Sequence, residues 1–137
     1  MIRQRFKLRK YGWLVYCYYA VSSSDIAEVY DALVSIGCDG FDLEDAWENL
    51  SSGELNSGLT YSNFSHRESV MVIARATSAE QFAKSWRHEM GHLATHIASA
   101  FRFNLKGEEV QYIGDDIVGE TWPIAKEMLS KNEKDRD

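Results

Sequence analysis

Residues 78–97, SAEQFAKSWRHEMGHLATHI, decide how this chain folds and where its chemistry lies. The stretch carries an apolar residue every three or four positions, which is the spacing of an amphipathic helix that packs on a core. The apolar positions are Phe82, Trp86, Met90, Leu93 and Ile97. Ser78 stands where an N-cap is expected and Gln81 follows at the capping-box spacing, so the helix is predicted to begin here.

Within this helix lies the pattern His88-Glu89-Met90-Gly91-His92. Residues four apart project from nearly the same side of a helix, so the two imidazoles can bind one metal ion. A glutamate directly after the first histidine is typical of zinc sites that activate water. We therefore predict a Zn²⁺ cofactor on His88 and His92. Glu89 is the predicted general base, which activates a zinc-bound water to hydrolyse peptide bonds.

A third protein ligand is required to complete such a site. His96 lies two turns beyond His88, about 12 Å along the axis, so it cannot share the ion on an unbroken helix. The pattern with a third histidine six residues after the second is missing, because Ala98 stands there. The search therefore moves to a second helix, predicted over residues 108–117. Its region offers the carboxylates of Glu108, Glu109, Asp116 and Glu120.

A family resemblance rests on these residues. The motif at 88–92 with a further His96, followed by the Glu-Glu-Val-Gln-Tyr-Ile-Gly run at 108–114, resembles the small zinc peptidases of the ImmA/IrrE type. Residues 78–82, before the motif, and 108–114, after it, also look like the corresponding segments of short HExxH proteins of phages and integrated elements. The resemblance covers residues 68–120. It implies a gluzincin-like zinc metallopeptidase whose substrate is a protein or peptide.

By the same resemblance the third zinc ligand is Glu109. The chain departs from the family at Val110 and Gln111, where an Ala-Asn pair is usual, and this leaves Glu108 and Glu120 open as alternatives. The resemblance also implies a minimal zincin-like domain of the α+β class. In it a small antiparallel sheet packs on helices, and the HExxH helix is followed by a second, ligand-bearing helix.

The remainder of the chain is predicted to alternate between strands and helices. Residues 13–21 are dense in β-branched and aromatic residues, and Phe6 and Leu8 alternate with basic residues before them. The predicted hairpin has strands at residues 59–64 and 68–76, and the predicted helices cover residues 24–36 and 42–50. The strand at 69–75 is the candidate edge that accepts an extended substrate, although a buried central strand is equally compatible.

Hydrolysis also requires a hydrogen-bond donor that stabilises the oxyanion developing on the substrate. Tyr112, one turn from Glu108, and His66, in the turn of the predicted hairpin, are the available candidates.

Composition indicates one domain over residues 1–137, because 45% hydrophobic residues and one proline suit a single core. Residues 1–22 are predicted to be a basic N-terminal hairpin or strand, and residues 130–137 a frayed charged tail. The net charge of −6 argues against a nucleic-acid partner despite five basic residues among the first ten.

Several other classes of protein are disfavoured. No segment approaches the roughly 20 apolar residues of a membrane span, so no membrane partner is expected. The single cysteines Cys17 and Cys38 form neither a disulfide framework nor a CxxC pair. The carboxylates between Asp39 and Glu48 lack EF-hand spacing, which favours a solvated acidic face. We expect a cytoplasmic protein, and its oligomeric state is left open.

The alternative function belongs to a different class. It is a binding or regulatory protein that keeps the zincin fold, has a structural or vestigial zinc site, and lacks peptidase activity. Glu89 argues against it, since a purely structural zinc site has no use for that carboxylate.

Overall fold

The computed structural model describes residues 1–52 and 57–134, which form a mixed α+β fold with four α-helices and one open four-stranded sheet. The strands are β1 (Ile2–Leu8), β2 (Trp13–Val21), β3 (Gly58–Asn63) and β4 (Glu68–Ala74). The helices are α1 (Ile26–Ser35), α2 (Gly40–Ser51), α3 (Ala79–Ala100) and α4 (Glu108–Lys134). The α+β class predicted from the sequence is therefore confirmed.

The sheet has the strand order β1-β2-β4-β3. Its outer pairs, β1 with β2 and β3 with β4, are antiparallel, whereas the central pair of β2 and β4 is parallel. The prediction of an antiparallel sheet is thus wrong: the sheet is mixed. The physical reason is the connection between β2 and β4, because α1, α2 and β3 together form the long crossover that a parallel pair needs.

Of the two interpretations of residues 69–75, the structure shows the buried central strand. β4, which overlaps this segment, lies between β2 and β3, and six of its seven residues are buried. Every residue of β3 is half-buried, as suits an edge strand. The accessible edge near the HExxH helix is therefore β3.

Helices cover both faces of the sheet. One core holds α3 and α4 against inward residues of β2 and β4, with Trp13, Met71 and Ile73 fully buried. The other holds α1 and α2 against the opposite face, with Val70 and Val72 of β4 fully buried. This alternation along β4 reflects the period of two in a strand that is covered on both faces.

The helix ends follow local sequence signals. Ser78 Oγ accepts a hydrogen bond from the backbone N–H of Gln81 at 3.1 Å, as an N-cap does. Gln81 Oε1 accepts from the backbone N–H of Thr77 at 2.7 Å, one residue earlier than in a standard capping box. At the other end of the chain, α4 continues to Lys134, within the segment predicted to fray. Residues 135–137 of that segment, and residues 53–56 between the predicted helix at 42–50 and the predicted strand at 59–64, lie outside the described residues.

The two long helices lie over different parts of the sheet. α3 contacts β4 and β3, whereas α4 contacts β1. A hydrogen bond of 2.7 Å from Gln4 Nε2 to the backbone carbonyl of Glu120 marks the contact of α4 with β1. Within the described ranges, no helix has both the length and the apolar character needed to cross a bilayer. The HExxH segment of α3 therefore lies along the β3 edge.

Candidate metal centre

Two imidazoles face each other on the exposed side of α3. Nε2 of His88 lies 3.1 Å from Nε2 of His92, and the two ring planes are inclined at 86°. Two nitrogens that bind one tetrahedral Zn²⁺ at about 2.0–2.1 Å lie about 3.3 Å apart. The two predicted ligands therefore lie together, near the separation that a shared ion requires.

Glu89 turns away from solvent toward β3. Only 2% of the residue is exposed. Its Oε2 accepts a hydrogen bond of 2.7 Å from Ser57 Oγ, and its Oε1 accepts one of 2.9 Å from Thr60 Oγ1. These two hydroxyl groups satisfy one lone pair on each carboxylate oxygen and hold the side chain between α3 and the edge strand.

Gly58, between the two hydroxyl residues, leaves space for this carboxylate. It has a φ of +144°, and a Cβ there would lie 1.8 Å from the carbonyl oxygen of Val72 and 3.2 Å from Glu89 Cγ. A side chain at this position would therefore collide with β4 and crowd Glu89. Sequence reasoning missed Ser57, Gly58 and Thr60; polar residues alternating on the inward face of β3 were the available signal.

The surroundings of Glu89 contain no cationic partner in the part of the chain that the structure describes. The ion pairs among the described residues join Arg3 to Glu28, His66 to Glu68 and Lys84 to Glu80, and none of them includes Glu89. Burial of a carboxylate costs stability unless hydrogen bonds compensate it, and Ser57 and Thr60 provide such bonds here. Glu89 is thus held by hydroxyl groups and not by a counter-charge among the described residues.

The predicted third ligand does not join the histidine pair. Glu109 is exposed in the first turn of α4, and its Oε2 lies 3.0 Å from where a Cβ on Gly107 would be. Across residues 1–52 and 57–134, no three His, Cys, Asp or Glu side chains gather in a group that could hold a metal ion. The donors that the structure brings together are therefore the two imidazoles.

The alternative carboxylates are also placed elsewhere. Glu108 Oε2 accepts a hydrogen bond of 3.2 Å from the hydroxyl of Tyr112. Asp116 and Glu120 border a cleft with residues 7–10 around the end of β1, at the opposite edge of the sheet from β3. The position of these carboxylates follows from the packing of the two helices. Trp86 of α3 donates a hydrogen bond to Thr121 of α4, on a side of α3 that faces away from the histidines.

His96 is connected to the core by a chain of hydrogen bonds. Trp13 Nε1 donates to Ser69 Oγ at 2.8 Å, the Ser69 and Ser62 hydroxyl oxygens lie 2.6 Å apart, and Ser62 Oγ lies 2.7 Å from His96 Nδ1. The indole can only donate, so Ser69 accepts from it. We expect Ser69 to donate to Ser62, because the other direction leaves the hydrogen of this buried hydroxyl without an acceptor. In that arrangement Ser62 donates to Nδ1, and the proton of a neutral His96 lies on Nε2.

The environment of His96 favours this neutral form. Burial lowers the pKa of His96, and the nearby His92 lowers it further. The ring centroids of these two histidines lie 6.5 Å apart. At neutral pH His96 is therefore an uncharged imidazole beside the candidate metal ligands, with its Nδ1 engaged by Ser62.

We expect Ser62→Ala to lower the free energy of unfolding by about 1–3 kcal/mol, because the buried Ser69 hydroxyl loses its acceptor. Urea denaturation measures this change. The control Ser65→Ala, at an exposed position in the same hairpin, should remain within about 0.5 kcal/mol of the parent. Long-range ¹⁵N NMR should show the His96 proton on Nε2 in the parent protein. A proton on Nδ1, or equal stability losses in the two variants, would contradict the direction of this chain.

The remaining candidates lie outside this cluster. His66 is exposed in the β3–β4 turn, with Nδ1 3.2 Å from Asn63 Nδ2, and Tyr112 is 53% exposed on α4. Burial raises the pKa of Cys17 to about 12, so this thiol remains protonated and is a poor metal ligand. Of the sequence-predicted residues, the structure thus brings His88 together with His92 and places Glu89 against β3.

Comparison of the chain with protein-family models, with curated proteins and with solved structures finds no match in any of the three.

Proposed function

We propose that this protein is a zinc-dependent metallopeptidase of the gluzincin type, with a minimal zincin-like fold and a protein or peptide substrate. One observation carries the proposal. The Nε2 atoms of His88 and His92 lie 3.1 Å apart, and the adjacent Glu89 is a buried carboxylate held by hydroxyl groups beside an edge strand. A paired imidazole donor set with a neighbouring buried carboxylate suits metal-assisted hydrolysis.

Bound Zn²⁺ supplies a Lewis acid that lowers the pKa of a water molecule to about 7. In the proposed reaction His88 and His92 each contribute a neutral imidazole nitrogen to the ion. Glu89 takes the proton of the attacking water on a carboxylate oxygen and later delivers it to the leaving amine. Ser57 and Thr60 orient that carboxylate by donating to its two oxygens.

The edge strand supports a polypeptide substrate. β3 pairs with β4 on one side, and as the last strand in the sheet order it has no strand neighbour on the other among the described residues. An extended peptide can add to such an edge through main-chain hydrogen bonds. Thr60, which holds Glu89, is part of this strand, so a peptide added there would run beside the proposed base.

Glu109 is proposed as the third ligand on the family resemblance alone. The zinc affinity of three separate variants tests which glutamate is the third ligand. The variants are Glu109→Gln, Glu108→Gln and Glu120→Gln. We expect the first to weaken zinc binding and the other two to leave it unchanged.

A second candidate function is a zincin-fold binding or regulatory protein with a structural or vestigial zinc site and no peptidase activity. The hydrogen bonds of Glu89 favour it, because they also tie α3 to the β3 edge and would serve a purely structural carboxylate. The two functions differ in whether zinc binding is accompanied by peptide cleavage.

Metal content and peptide hydrolysis, measured on the same preparation, test the proposal. We expect about one Zn²⁺ per chain by elemental analysis and cleavage of a mixed peptide library by mass spectrometry. A chelator should abolish cleavage, and added Zn²⁺ should restore it. Bound zinc without cleavage would favour the binding protein. Failure to bind zinc would contradict the metallopeptidase and a structural zinc site, and would leave only a binding protein with a vestigial site.

A further inference from the structure

A cleft of about 710 Å³ opens between α1 and α2, on the face of the sheet opposite α3. Its apolar lining includes Leu43 and the aromatic pair Tyr30 and Trp47, whose rings meet edge to face with centroids 5.3 Å apart. Trp47 is 46% exposed. Partly exposed tryptophan and tyrosine beside a concave surface are typical anchors of protein recognition.

The apolar surface continues beyond the cleft along the same two helices. Val34 at the end of α1 is 47% exposed, and Phe41 at the start of α2 is 85% exposed. Single exposed apolar residues are ordinary, but a group of them around an apolar cleft marks a binding surface.

The rim of this cleft is acidic. Asp31, Glu44 and Glu48 line it. Together α1 and α2 carry six carboxylates and no lysine or arginine, and residues 11–66 contain no basic residue apart from His66. A surface of one sign attracts partners of the opposite charge and repels anionic ones such as nucleic acids and acidic lipids.

We propose that this cleft binds a basic amphipathic helix of a partner protein. α1 has 10 residues and α2 has 12, so each wall is about 15–18 Å long and would flank about three turns of a helix. The apolar side chains of the partner fill the cleft around Trp47, and its lysine or arginine residues meet the acidic rim. This is helix-in-groove recognition with charge complementarity.

A second copy of this chain is a poorer occupant, because four of the five basic residues in its N-terminal segment already have acidic neighbours. Arg3 forms a two-point pair with Glu28 of α1. Lys7, Arg9 and Lys10 border a separate cleft that contains Asp115, Asp116 and Glu120 of α4. We therefore assign the α1–α2 cleft to a basic segment of another protein, and a second copy is an outcome of the test.

Selection from a phage-displayed library of random 16-residue peptides on the intact protein tests the proposal. We expect enriched peptides to have apolar residues at helical spacing and a net positive charge. In two-dimensional ¹H–¹⁵N NMR, they should perturb the α1 and α2 resonances and the Trp47 indole. Affinity should fall several-fold when the salt concentration rises from 50 to 500 mM.

Matched tryptophan variants localise the binding. Trp47→Ala should weaken the selected peptides by about tenfold or more, because a buried aromatic anchor is lost. Trp122→Ala removes an equally exposed tryptophan from α4 and should change the affinity by less than about twofold. The proposal is overturned if no peptide is enriched, if the peptides are acidic or neutral, or if they perturb another surface. Concentration-dependent dimerisation that Trp47→Ala abolishes would show that a second copy occupies the cleft.

Discussion

Glu89→Gln is expected to retain zinc and to reduce peptide hydrolysis by about 10²–10⁴-fold. The amide matches the carboxylate in shape, and the hydroxyl groups of Ser57 and Thr60 can rotate so that one donates to its oxygen and the other accepts from its nitrogen. The fold and the histidine pair are therefore preserved. What the variant lacks is a group that can take the proton of the attacking water. Zinc content and the rate of peptide cleavage, measured together, give the comparison.

A second substitution at the same position separates catalysis from packing. Glu89→Ala removes the carboxylate that accepts from Ser57 and Thr60, and leaves Thr60 only its 3.4 Å hydrogen bond to the backbone carbonyl of residue 89. It should therefore also lower the free energy of unfolding, by about 1–3 kcal/mol. Glu89→Gln should be considerably more stable than this variant. If the zinc-loaded Glu89→Gln protein hydrolyses peptides at the parent rate, Glu89 is not the base.

His88→Ala and His92→Ala are each expected to weaken zinc binding by more than a hundredfold. Loss of a residue that merely orients a ligand costs about 10–100-fold in metal affinity, and loss of the ligand itself should cost more. Both histidines are exposed, so the fold should tolerate the change, with effects on stability near 0.5 kcal/mol. Competition with a chromophoric zinc chelator measures the affinity, and circular dichroism checks the fold.

Other histidines provide the control for metal binding. His66→Ala removes an exposed imidazole from the β3–β4 turn and should leave zinc affinity unchanged. Parent-like zinc affinity in both His88→Ala and His92→Ala would contradict a site on α3. If only one of the two variants loses zinc affinity, His88 and His92, whose Nε2 atoms lie 3.1 Å apart, do not share an ion.

Features determined by neighbours in sequence were predictable. The start of α3 at Ser78 was one, because a cap and its partner lie within three residues of each other. The pairing of His88 with His92 was another, because the pitch of a helix alone brings residues four apart together. The density of β-branched and aromatic residues in β2 also identified that strand, and its buried residues recur with a period of two.

Features that depend on distant residues were not predictable in the same way. β4 resembles an edge strand and a central strand equally well in its own sequence, and its position depends on pairing with β2, some fifty residues earlier. The partners of Glu89 are 29 and 32 residues away from it, on and just before β3. The carboxylates of α4 could not be assigned either, because their distance from the histidines depends on which side of α3 the second helix packs against.

The sequence by itself determined the HExxH helix, its cap, its apolar stripe and the convergence of His88 and His92, because helical geometry links these residues locally. The tertiary structure alone decided that Glu89 is buried against Ser57 and Thr60, that β3 rather than β4 forms the edge, and that α1 and α2 enclose an acidic cleft. These features arise from the order of strands and the side on which each helix packs. Long-range contacts set both, and no short stretch of sequence encodes them.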